Sequence, residues 1–273
     1  MSGKAVETNQ PDVKVIMKRN YRLRILAYLT ITFWAVIFLQ APIPQDPAYH
    51  QFADQRTVLG IPHCLNVISN LPFLLVGLWG FSVVFRLATD PEQQAFVRPV
   101  DSLAYQILFL AVALVGLGST YYHLAPSNRT LLWDRLPMSI AFMAFLATAI
   151  TERLDRRAGI ITLLPLIAFG LFSVLYWHYT EQAGAGDLRY YIVAQAYPIL
   201  FVPLMVRLLP SPYTRGSDLY IAGLCYLLAK AAEVFDQALY AAGGLVSGHT
   251  CKHLFAALGA YWVLRMIRLR RLN

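Results

Sequence analysis

Apolar residues along this chain collect into eight runs, at roughly 24–40, 66–85, 103–123, 131–150, 159–177, 190–207, 218–240 and 249–267. Each approaches the ~20 residues an α-helix needs to cross a bilayer. The stretches between them carry the Pro, Asp, Arg and Gly residues of loops. The pattern predicts an all-α protein, a polytopic membrane helix bundle. The first run follows basic residues, as a signal peptide would. Its polar lead of about 20 residues and the lack of a small-residue cleavage pattern predict instead a helix that is retained.

Composition sharpens this picture. The 273 residues are 58% hydrophobic and 14% charged, with a mean hydropathy of +0.50, whereas soluble domains average ~45–50% and ~25%. Eight spans leave only short loops and termini, so any chemistry has to be built from the helices. The formal charge of +8 does not imply a nucleic-acid partner, because that footprint needs basic residues clustered on a water-facing surface. It reads as topology. With an even number of spans, seventeen Lys and Arg residues in segments 4–24, 86–98, 153–157, 207–215 and 265–271 fall on one side, against Arg56, Arg129, Arg189 and Lys252 on the other. Cytoplasmic loops are enriched in Lys and Arg, so both termini are expected in the cytoplasm. Cys64, Cys225 and Cys251 have no CxxC spacing; they indicate neither a disulfide framework nor a thiolate zinc site and read as packing residues.

Ionisable groups in apolar spans are costly and are functional candidates by default. The third run ends Ser119-Thr-Tyr-Tyr-His123, the fourth begins near Trp133-Asp134-Arg135-Leu-Pro137, and the eighth opens Ser247-Gly-His249-Thr-Cys-Lys-His253. Residues four apart share a helix face, so Ser119 lies under His123 and His249 under His253. The topology brings all of them to one membrane interface, the outer one. Three neutral imidazoles with an open fourth position form the pattern of a catalytic zinc site, where the metal lowers the pKa of bound water to ~7. Asp134 then either activates that water or supports a histidine N–H, and Ser119 can hydrogen-bond a substrate oxygen. The bland alternatives are an interfacial packing histidine, a helix-packing hydroxyl, and a carboxylate favoured by a helix N-terminus. Lys230 and Glu233 read as a neutralised structural pair sharing a helix face with Asp236. His178, with Trp177 and Tyr179, reads as an interfacial aromatic belt. His50 and His63 lie in the outer loop without helical pairing, and Tyr121 and Tyr122 adjoin His123.

These residues carry a resemblance. Ser119-x-x-x-His123, an aspartate eleven residues after that histidine, and a late His249-x-x-x-His253 resemble the alkaline ceramidases. These are seven-helix membrane zinc hydrolases in a superfamily that includes the adiponectin-receptor-like proteins. Asn66-Val-Ile-Ser69-Asn70-Leu-Pro-Phe is similar to the family's first-helix signature, Trp133-Asp134-Arg135-Leu-Pro137-Met to its aspartate segment, and Phe235-Asp236 to its aromatic-Asp pair. The resemblance covers roughly residues 60–270 and implies zinc on His123, His249 and His253, with Asp134 activating water and Ser119 assisting at the carbonyl. Asp236 would support a metal histidine. The implied fold is a seven-helix hydrolase core, 61–273, preceded in 1–60 by a cytoplasmic N-terminus, one extra transmembrane helix and an outer loop. The eukaryotic enzymes carry an acidic cluster associated with calcium before the first core helix. Here that region offers Asp54 but has His63 in place of a carboxylate, and calcium wants several oxygen ligands, so calcium regulation is not expected.

The expected activity is amide hydrolysis of a ceramide-like N-acyl lipid, yielding a fatty acid and a long-chain base. The competing reading is a non-catalytic membrane receptor or transporter whose histidine cluster binds a structural metal or a ligand. The expected partners are a membrane lipid substrate and the bilayer, with no nucleic acid. The short loops and lack of extended tails are compatible with a bacterial inner membrane.

Overall fold

The computed structural model describes residues 13–90 and 95–273; Lys4, counted above among the basic residues, lies outside them. The chain divides into two compact units, one ending at Leu39 and one spanning Gln40–Asn273. The first contains α1 (Val13–Phe38), whose stretch Ile16–Phe38 is long and apolar enough to cross a membrane.

The second unit is a bundle of α2 (Cys64–Ile68), α3 (Leu71–Thr89), α4 (Leu103–Leu124), α5 (Asn128–Ala149), α6 (Arg156–Gln182), α7 (Arg189–Leu208), α8 (Asp218–Val234), α9 (Asp236–Gly243) and α10 (Gly248–Leu269). No strand occurs among the described residues. Local sequence explains the helix starts. The Ser127 hydroxyl accepts from the Thr130 N–H while Thr130 Oγ1 accepts from the Ser127 N–H, a reciprocal cap that opens α5. Asp155 caps α6 and Ser247 caps α10.

Among the described residues, six helical segments are long and apolar enough to cross a membrane, α2 and α3 counting as one and α5 continuing through a π turn to Leu154. The remaining two runs differ from expectation. Run 218–240 is broken: α8 has 17 residues and ends at Val234, and α9 starts at Asp236. Asp236 therefore leaves the face it was expected to share with Lys230 and Glu233. Helix α10 carries Lys252, Arg265 and Arg268. Charges are tolerated here because they find partners: Lys252 and Lys230 both pair with Glu233, and Arg265 with Asp218.

Two prolines shape the bundle where it matters. Pro72 offers no N–H and breaks the helix between α2 and α3. Between the two helices the Asn70 N–H turns to the Val67 carbonyl, and the carbonyl of Asn66 receives side chains instead, the Ser69 hydroxyl at 3.1 Å and Asn70 Nδ2 at 2.8 Å. Pro137, inside α5, has no N–H for the carbonyl of Trp133, four residues earlier. Gly118 of α4 packs against that carbonyl so closely that a Cβ would lie 2.1 Å from its oxygen. This contact sets Ser119 beside Asp134.

Segment 40–63 lies across the end of the bundle that bears His123. Ala53 N–H donates to Asp236 Oδ2 at 2.9 Å, Arg56 Nη2 to the Leu245 carbonyl at 2.6 Å, and Leu188 N–H to the Ile43 carbonyl at 2.8 Å. At the opposite end Arg270 is buried, pairs with Glu152, and stacks over Tyr213 at 4.0 Å.

Candidate metal centre and its cavity

The last turn of α4 and the first turns of α10 bring His123, His249 and His253 together. Their rings form a triangle with centroid separations of 4.8, 4.9 and 4.9 Å, and one potential ligand atom from each lies within 4.8 Å of the others. All three are buried. Both ring nitrogens of His123 and Nε2 of His249 have no hydrogen-bond partner. Leaving a polar atom buried and unpaired costs about 1–3 kcal/mol, so three such atoms in one place call for a ligand. The three imidazoles could together hold a metal ion.

The third histidine is held by the broken helix. Ser69 Oγ lies 2.7 Å from His253 Nδ1. The Ser69 proton is engaged by the Asn66 carbonyl, so the hydroxyl accepts from Nδ1–H. That tautomer leaves Nε2 of His253 with its lone pair free, as a metal ligand requires. Asn66 Oδ1 in turn accepts from Thr250 Oγ1 at 2.8 Å and from Ser247 Oγ at 3.3 Å, tying α2 to the start of α10. Asp236 reaches His249 through its backbone: Oδ1 accepts from the His249 N–H at 2.7 Å. Gly248 permits this approach, since a Cβ there would lie 2.1 Å from the Ala232 carbonyl oxygen.

Asp134 and Ser119 are buried, line one cavity with His253, and face each other, hydroxyl toward carboxylate. Phe52 covers the cluster from segment 40–63, with its ring 4.6 Å from His123 and 4.5 Å from His249. Sequence reasoning passed over Phe52 because a loop aromatic has no periodicity to place it. Ser69 was visible only inside the Asn66–Phe73 signature.

The other candidates are placed elsewhere. His50 uses both ring nitrogens, one with Tyr122 Oη at 2.8 Å and one with Asn128 Oδ1 at 2.9 Å. His63 Nδ1 meets the Asp54 carbonyl at 3.2 Å. Tyr122 is buried and Tyr121 is 48% exposed. Trp177 does not sit in an outward aromatic belt; it is fully buried and stacks on the Arg135 guanidinium at 4.2 Å. The three cysteines are free, and none joins the histidine cluster. In segment 40–63, Asp54 is bound on both oxygens by Arg56. That hydrogen bonding holds its carboxyl below the usual carboxylate range.

The cavity of about 320 Å³ falls within the usual size of ligand sites. Its polar end holds Tyr49, Ser119, Asp134, Arg135, Glu233, Lys252 and His253, and apolar residues such as Val112, Phe145, Ile199, Pro203 and Val263 line the rest. Along α8 the lining runs from Leu219 to Glu233, about 21 Å at 1.5 Å per residue. Helix α8 packs chiefly on α10, and α7 chiefly on α5 and α6. The seam between α7 and α8, beside the cavity, is therefore lightly packed.

Residues 60–273 match the family model described as Ceramidase. The Dictyostelium discoideum protein named "Putative alkaline ceramidase dcd3A" is 23% identical over 225 residues, covering 72% of this chain and 76% of its own length.

Proposed function

This chain belongs to the ceramidase family, and from that premise we propose that it is a zinc-dependent intramembrane hydrolase cleaving the amide bond of a ceramide-like N-acyl lipid. The products are a fatty acid and a long-chain base. Family membership supports ceramide hydrolysis. One observation carries the finer reading: a buried trio of imidazoles with unpaired nitrogens stands at the end of an apolar cavity.

In this reading His123, His249 and His253 hold the ion, which supplies Lewis acidity toward the amide carbonyl and a water that ionises near neutral pH. Asp134 takes the proton of the attacking water and returns it to the leaving amine. Ser119 donates to the carbonyl oxygen as negative charge builds there. Phe52 keeps bulk water from the histidines, so electrostatic interactions inside act at low dielectric. Asp236 fixes the first turn of α10, and with it the His249–His253 pair. The acyl chain enters between α7 and α8 and lies along the apolar part of the cavity.

The charge distribution supports a membrane orientation with both termini cytoplasmic and the site near the outer face. Residues 61–273 form the hydrolase core in this scheme. The preceding outer loop completes it by contributing Tyr49 and Phe52.

The test is elemental analysis of detergent-purified protein together with a screen of N-acyl lipids for released fatty acid. One zinc per chain, lost in His123→Ala, His249→Ala and His253→Ala along with amidase activity, is the expected result. Full activity and full zinc content in all three variants would overturn it, and saturable lipid binding without release of fatty acid would favour a receptor.

A further inference from the structure

Among the charged residues at the polar end of the cavity, Lys230 and Glu233 of α8 and Lys252 of α10 have no part in the chemistry above. Glu233 bridges the two lysines, and its Oε1 also accepts from Tyr49 Oη at 3.2 Å. Tying two helices together does not call for such a cluster, because a well-packed apolar pair does so at least as well without taking charges out of water. The cluster also stays open toward the cavity. The side chain of Lys252 is 16% exposed and that of Glu233 12%, and both line the cavity.

Its hydrogen-bonding capacity is not exhausted. An ammonium has three N–H donors, and Lys252 commits one, to Glu233. A carboxylate has about four lone-pair sites, and Lys230, Lys252 and Tyr49 occupy three on Glu233. Donors and an acceptor therefore remain side by side on two residues already bonded to each other. A hydroxyl fits that arrangement, its oxygen accepting from Lys252 and its proton going to Glu233. An anion could give Glu233 no proton and would abut its charge, and an ammonium would face two lysines. Lys252 immediately precedes His253 in α10, so a hydroxyl held here lies close to the amide at the histidines. The apolar remainder of the cavity suits the acyl chain, which leaves the hydroxyl on the amine side.

We propose that Lys252 and Glu233 determine specificity by gripping one hydroxyl of the long-chain base, Lys252 donating to its oxygen and Glu233 accepting its proton. The proposal rests on the amide-hydrolase reading and assigns the head-group subsite of that same cavity.

The test uses N-palmitoylsphinganine and the analogues lacking its primary hydroxyl, its secondary hydroxyl or both. Palmitate release by the full chain in detergent micelles gives kcat/KM, and calorimetry of the same lipids gives binding. Removing one of the two hydroxyls is expected to lower kcat/KM and affinity by about tenfold or more, and which analogue suffers identifies the hydroxyl held. Lys252→Met should erase that discrimination while zinc stays stoichiometric, and Lys252→Arg, which keeps a cationic donor, should restore part of it. Glu233→Gln should narrow the discrimination as well. Equal performance of all four lipids with the unaltered protein overturns the proposal without recourse to any variant. A Lys252→Met protein that slows on every lipid by the same factor also overturns it, since the lysine would then only hold the fold. A hydroxyl preference in binding with no hydrolysis of any lipid sinks the hydrolase reading and leaves the subsite standing; hydrolysis without the preference does the reverse.

Discussion

Ser69 Oγ and His253 Nδ1 lie 2.7 Å apart although 184 positions separate them in the chain. The helix that begins at Cys64 ends at Ile68, the Asn70 N–H goes to the Val67 carbonyl, and the Asn66 carbonyl is left to take the Ser69 hydroxyl proton, so Ser69 accepts from the imidazole. The contact therefore selects which nitrogen of His253 is free for a metal.

Ser69→Ala is expected to lower zinc affinity by about 10–100-fold, the usual effect of removing a partner that orients a metal histidine. Competition with a chromogenic chelator reads this directly. Unchanged affinity would show that the tautomer is set by something else.

Asp134→Asn preserves size while removing the base. Zinc should remain stoichiometric while kcat falls by roughly 10²–10⁴. Loss of zinc together with activity would place Asp134 in metal binding instead of proton transfer.

Gly118→Ala would place a Cβ 2.1 Å from the Trp133 carbonyl oxygen, where contacts below 3.0 Å essentially never occur. Helices α4 and α5 must separate, moving Ser119 and His123 away from Asp134. A lowered thermal midpoint is expected together with a drop in kcat. Gly243→Ala, with no heavy atom within 4 Å of the added Cβ, serves as the control and should leave both quantities nearly unchanged.

The Asp54–Arg56 pair makes stability depend on pH. The Arg56 hydrogen bonds depress the folded-state pKa of Asp54, so the folded state favours the carboxylate. That stabilisation is fully present above the unfolded value of ~3.9 and is lost as pH falls through the lower folded value. In Arg56→Gln the difference from the unaltered protein should be visible in the thermal midpoint at pH 7 and should shrink by pH 3. A difference independent of pH would mean that the hydrogen bond from Arg56 to the Leu245 carbonyl, at 2.6 Å, carries the effect.

Charge counting in the sequence treats Arg153, Arg270 and Lys252 as surface markers, because position along the chain does not reveal depth. Arg153 Nη1 donates to the Leu209 carbonyl at 2.9 Å in a buried position, Arg270 is buried on Glu152, and Lys252 turns into the cavity wall to pair with Glu233. Lys230 and Glu233 do form the pair that their spacing suggested. Asp236 does not join them, because α8 ends before it.

The sequence by itself determined the helical class, the number of apolar runs and the pairing of His249 with His253 and of Ser119 with His123. Each follows from a period of 3.6 residues or from the length of chain needed to cross a bilayer, and both are local properties. Only the tertiary structure decided that Phe52 covers the histidines, that Ser69 orients His253, that Asp236 acts on a backbone N–H, and that Arg135 is buried against Trp177 and Tyr191. Those relations join distant segments through loops and a broken helix, where no repeat in the chain encodes which side chains meet.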